Sequence, residues 1–116
     1  MSFEIFWLPK AQTQYQELKS SAKKSYFSDE KLRKKKSSKQ EGRYKQVYKC
    51  INYLRKNPKH PGLNSHVFKS MVHPFDKSKN VFESYAQNKT AGAYRIFWCY
   101  GAEKNEITII AITPHA

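Results

Sequence analysis

Two apolar runs, AYRIFWCY (residues 93–100) and EITIIAIT (residues 106–113), are separated only by the polar GAEKN. Short runs rich in β-branched and aromatic residues, joined by a glycine-containing loop, predict a β-hairpin. One residue does not fit. Arg95 sits among rings and aliphatic side chains, and a cation stranded in a core costs several kcal/mol unless an anion or water reaches it. Arg95 therefore either faces an open side of the sheet or pairs with Glu83 of a neighbouring strand.

The loop length makes the register testable. If the five residues of GAEKN close the hairpin, paired numbers sum to an even value, and Tyr100 meets Glu106 while Arg95 meets Ala111. Cross-strand partners share a face, which gathers Arg95, Ala111, Thr113 and His115 on one side. His115 then lies about 13 Å further along the strand, within joint reach of one phosphate for two long side chains. The alternative for His115 is a terminal residue with no partner.

The rest of the chain supplies what this hairpin packs against. Phe3, Ile5 and Trp7 alternate as a first strand, and Pro9 suits the opening turn of a helix. Ala11, Tyr15, Leu18 and Ala22 then recur at helical spacing, which predicts a helix over 9–24. A second helix carries Tyr44, Val47, Ile51 and Leu54, begins after Ser38 and Glu41, which resemble a capping box, and ends before Pro58. SHVFKSM reads as a weak strand and NVFESYA as a better one. The order is α+β: an N-terminal strand, a two-helix hairpin, then a C-terminal antiparallel meander with the helices on one face. No repeat or break divides residues 1–116, so a single domain is expected, with a basic linker at about 25–40.

Charge narrows the partners. Lysine and arginine number 22 against 9 acids, a net charge of +13, which favours polyanions such as nucleic acid or acidic proteins over a neutral ligand. Lys34, Lys35 and Lys36 are either phosphate contacts or a solvated loop. Tyr94, beside Arg95, is either a base-stacking ring or a half-buried core ring. Cys50 and Cys99 lie in apolar patterns and read as reduced core thiols. The opening MSFEIFWLPK has no secretory pattern, and the longest aliphatic run, from Ile109 to Ile112, is too short for a bilayer. A cytoplasmic protein that binds no membrane is expected. The four histidines and two cysteines lack metal-ligand spacing, so no metal and no small-molecule cofactor is expected.

FEIFWLPKAQTQYQEL, the basic helical hairpin, AYRIFWCYG and the terminal EITIIAITPH together resemble the RelE/ParE superfamily of bacterial toxins. The resemblance implies a toxin held inactive by an acidic antitoxin encoded beside it. In the RelE-like branch the activity is endoribonuclease cleavage of mRNA, usually on the ribosome; in the ParE-like branch it is inhibition of DNA gyrase. An inactive basic interaction module is a third possibility. Cleavage without a metal needs a base for the 2′-hydroxyl, a cation for the phosphorane and an acid for the leaving 5′-oxygen. The resemblance assigns Arg95 to the transition-state charge, His115 to the acid and His66 to the base. It makes Lys69 and His73 RNA contacts on the strand SHVFKSM and the residues just after it. The plain alternative for these last three is solvated polar groups on an edge strand.

Overall fold

The computed structural model describes residues 2–28, 39–87 and 92–114. Lys34, Lys35, Lys36 and His115 lie outside them.

Strand β1 (Glu4–Trp7) leads through Leu8 into helix α1 (Pro9–Ser28), four residues longer than its apolar spacing predicts, and helix α2 spans Lys39–Lys56. Glu41 in the first turn of α2 and Arg55 and Lys56 in its last complement the helix dipole. A 3₁₀ turn at Pro61–Leu63 precedes strand β2 (His66–Val67). Strands β3 (Phe82–Tyr85), β4 (Tyr94–Tyr100) and β5 (Glu106–Pro114) follow. The five strands form one sheet in the order β1-β5-β4-β3-β2. The last four make the expected antiparallel meander, and β1 adds parallel to β5, Ile5 opposite Ile107.

Both helices cover one side of this sheet. Ala11 and Leu18 of α1 and Val47, Ile51 and Leu54 of α2 meet Ile96, Trp98, Ile107, Ile109 and Ile112 in the main core. The Trp98 indole N–H donates to Ser84 Oγ at 2.8 Å, and Ser84 Oγ lies 2.6 Å from Ser65 Oγ, so the polar atoms carried inward are satisfied. On the opposite side, Val81, Phe97 and Ala111 form a small second cluster under Phe68, Met71 and Ile110.

The hairpin register differs from the expected one. Tyr100 pairs with Ile107 rather than Glu106, and Arg95 with Thr113 rather than Ala111. Between Phe97 and Trp98 the ladder shifts, and Ile110 is the extra residue on β5. The doubled Ile109–Ile110 is the reason. Strict alternation from Ile107 would send Ile112 away from the helices; the bulge returns it to the core. Gly101 begins the loop with φ of 114°, which a side chain would strain.

The second correction concerns β2. Pairing ends at Val67 because the chain turns in, placing Phe68 and Met71 over Phe97 and Ala111. Lys69 and His73 are consequently off the strand, on a long connection running back to β3.

Candidate active site

The side of the sheet that the helices leave bare carries an alternating set of polar side chains. Its register sets His66 opposite Glu83, Glu83 opposite Phe97, Tyr85 opposite Arg95, and Arg95 opposite Thr113. Because period two sends every second residue to one face, Glu83 and Tyr85 share it with Arg95, while Phe82 and Ser84 face the helices.

Glu83 is the centre of this set, its side chain only 3% exposed. One carboxylate oxygen, Oε2, accepts from Arg95 Nη1; the other, Oε1, lies 2.6 Å from His66 Nε2. Of the two readings open for Arg95, the structure shows the pairing with Glu83. The guanidinium also lies over the Phe97 ring, 4.9 Å from its centroid, and its Nε is buried with no hydrogen-bond partner among the described residues.

His66 is the member that reaches solvent, its side chain 44% exposed. Its other ring nitrogen, Nδ1, is 3.2 Å from the Asn64 carbonyl. Arg95 and His66 thus flank one buried carboxylate, each against a different oxygen. Tyr85 stands beside them with its ring 5.7 Å from that of His66. Desolvation first, then the charge of Glu83 and a hydrogen bond to it, raise the Tyr85 hydroxyl above its ordinary value, while Arg95 pulls it down.

The other sequence-derived candidates fall elsewhere. Lys69 is exposed just beyond β2. His73 is 4% exposed; its Nε2 meets the Tyr100 carbonyl at 2.8 Å, and its Nδ1 accepts from the Phe75 and Asp76 amides at 3.1 Å each. With both nitrogens bound to backbone, His73 anchors the connection and presents nothing to RNA. Tyr94 is half-buried on the helix side, with the Arg43 guanidinium over its ring at 4.7 Å. Neighbouring strand residues point to opposite faces, so Tyr94 cannot stack a base beside Arg95. Glu83 entered the sequence reading only as a partner for Arg95, and Tyr85 not at all. The alternation of NVFESYA was the signal that placed both on one face.

Among the described residues, no three His, Cys, Asp or Glu side chains converge as metal ligands, and no helix is long and apolar enough to cross a membrane.

Compared by sequence, the chain matches no family model and no curated protein. Compared by structure, it is similar to the archaeal RelE–RelB complex from Pyrococcus horikoshii. That match has a TM-score of 0.58 and 10% identity over 100% of this chain and 98% of the other. It is also similar to the YoeB dimer from Staphylococcus aureus, with a TM-score of 0.57 and 12% identity over 98% of each chain. The fold is of the RelE/ParE type.

Proposed function

We propose that this protein is the toxin of a toxin–antitoxin pair and that it cleaves mRNA, on the ribosome, using the His66–Glu83–Arg95 cluster. The observation that carries the reading is the buried carboxylate held between an arginine and an exposed histidine on the bare face of the sheet. Three roles are needed for transesterification, and these are three groups suited to them. The RelE/ParE-type fold and the charge of +13 support the same conclusion.

In the proposed reaction a phosphodiester docks against His66 and Arg95 and replaces Glu83 as their anionic partner. Arginine grips phosphate oxygens with a fixed fork. The carboxylate so released takes the 2′-hydroxyl proton. The 2′-oxygen bonds to phosphorus, Arg95 meets the charge that gathers on the phosphorane, and the bond to the 5′-oxygen breaks. An imidazolium gives its own proton to that oxygen, leaving a 2′,3′-cyclic phosphate and a 5′-hydroxyl, and the proton held by Glu83 then restores the imidazolium. In this proposal the base role expected of His66 passes to Glu83, the carboxylate that His66 Nε2 and Arg95 Nη1 both face. His66 becomes an acid alongside His115, the acid the resemblance assigned. Lys69, exposed beyond β2, is proposed as a phosphate contact, and so are Lys34, Lys35 and Lys36, which lie outside the described residues.

An acidic antitoxin is the proposed partner; the similar archaeal RelE is itself in complex with RelB. The test is induction of wild type and Arg95→Ala in a bacterial host, with mapping of mRNA 5′ ends. Cleavage sites present with wild type and absent with the variant are expected. Growth arrest with intact mRNA and damaged DNA would replace this reading with gyrase inhibition, and no toxicity would favour an inactive module.

A further inference from the structure

Alternation along β3 sends Glu83 and Tyr85 to the bare face two residues apart, about 7 Å along the strand. Tyr85 lies opposite Arg95 in the β3–β4 ladder, its ring is 5.7 Å from that of His66, and its hydroxyl is hydrogen-bonded to Glu83. Glu83 is therefore met from three strands: by His66 of β2, by Arg95 of β4 and by Tyr85 of its own strand. The proposed reaction uses the first two and leaves the third without a role.

These three contacts respond differently to a phosphodiester. Arg95 and His66 present N–H groups, and Arg95 its permanent positive charge, so an anionic phosphate competes with Glu83 for both. Tyr85 is a neutral phenol with no charge to offer the phosphate. Desolvation first, then the charge of Glu83 and the hydrogen bond to it, hold its hydroxyl above the ordinary 10.0, against the pull of Arg95. It therefore keeps its proton at neutral pH and remains a donor. Glu83, with a side chain 3% exposed, has little water to turn to when Arg95 and His66 leave it. A carboxylate buried without a donor is costly and takes up a proton more readily. One donor that stays behind keeps it ionised and fixes its direction.

We infer that Tyr85 is a positioning residue of the proposed reaction: its hydroxyl holds one oxygen of Glu83 while the phosphate occupies Arg95 and His66, and so aims the other at the 2′-hydroxyl. The inference rests on the reading that Glu83 is the base. In the step itself the 2′-hydroxyl proton passes to the free oxygen of Glu83 as the 2′-oxygen bonds to phosphorus. The phenol proton stays on Tyr85. This role belongs to the hydroxyl, whereas stacking on a base would belong to the ring.

The test is single-turnover cleavage of mRNA on programmed ribosomes by wild type, Glu83→Gln and Tyr85→Phe, over a range of toxin concentration and of pH. Tyr85→Phe keeps the ring and removes the hydroxyl, and because Tyr85 is half-buried the fold should tolerate the change. The rate at saturating toxin is expected to fall about tenfold or more, since a hydrogen bond to a charged group is lost. The toxin concentration giving half that rate should stay as in wild type. On the acid side the rate should begin to fall at a higher pH, because the missing donor had favoured the ionised carboxylate. A saturating rate equal to that of wild type overturns the inference, as does an acid limb that does not move. A raised half-saturating concentration with an unchanged saturating rate overturns it too, and makes Tyr85 an RNA contact. In each of these cases a slow Glu83→Gln leaves the base assignment standing. If Glu83→Gln cleaves as fast as wild type, or wild type leaves mRNA intact, the base assignment itself fails and the inference falls with it.

Discussion

Glu83 holds together Arg95 and His66, which the chain brings from separate strands, and this is where residue-level reading stops. Period two in NVFESYA and AYRIFWCY assigns Glu83 and Arg95 each to a face, but the opposition of His66 to Glu83 depends on a strand of only two residues. Such a strand leaves almost no pattern to read. The cysteines are a different case, since their apolar surroundings were plain. Burial pushes the Cys50 thiol up to about 12 and that of Cys99 to about 11, from an ordinary 9.0. Desolvation also raises Tyr15 and Tyr100. Above pH 9.0 the unfolded chain loses thiol protons that the folded chain keeps, so stability must fall as pH rises, levelling off past the folded values. The urea midpoint under reducing conditions should therefore decline between about pH 9 and about pH 11, and less steeply in a Cys50→Ala, Cys99→Ala double variant. An equal slope in both proteins would show that the thiols ionise alike in the two states.

Among the elements, the two helices and the terminal hairpin were legible because each carries four or more apolar residues at a consistent period. What escaped was a single added residue. Ile110 shifts the ladder by one, and no loop count at GAEKN could reveal it. Arg95 and Thr113 nonetheless share a face, since the one-residue slip at Tyr100 and the one-residue bulge add to two, a whole period of the strand. Residues 68–71 were expected to continue the strand SHVFKSM, but Phe68 and Met71, three positions apart, both pack on the cluster of Val81, Phe97 and Ala111, which a period of two would not allow. His73 fixes that segment to Tyr100 through one bond and to Phe75 and Asp76 through two more. Hydrogen bonds of this kind contribute about 1 kcal/mol each. His73→Ala should therefore speed amide exchange at Phe75 and Asp76 by about tenfold or more, with smaller effects in α1 and α2. Unchanged protection at those two amides would mean that the apolar cover of Phe68 and Met71 suffices to hold the segment.

For the molecule as a whole, similarity at 10% and 12% identity shows how little sequence this architecture needs. The sheet order and the helix side survive because they depend on periodicity, and activity must then be argued from the bare face. There the account rests on Glu83 changing partners: it holds Arg95 and His66 at rest and accepts a proton when a phosphate takes its place. Glu83→Gln keeps the shape of the side chain and one accepting oxygen but removes its basicity. The decisive measurement is single-turnover cleavage of mRNA on programmed ribosomes by wild type and by Glu83→Gln, with circular dichroism confirming that both are folded. The account predicts products with 2′,3′-cyclic phosphate and 5′-hydroxyl ends and a rate lower by about a hundredfold or more in the variant. Equal rates, or products ending in 5′-phosphate, would contradict it.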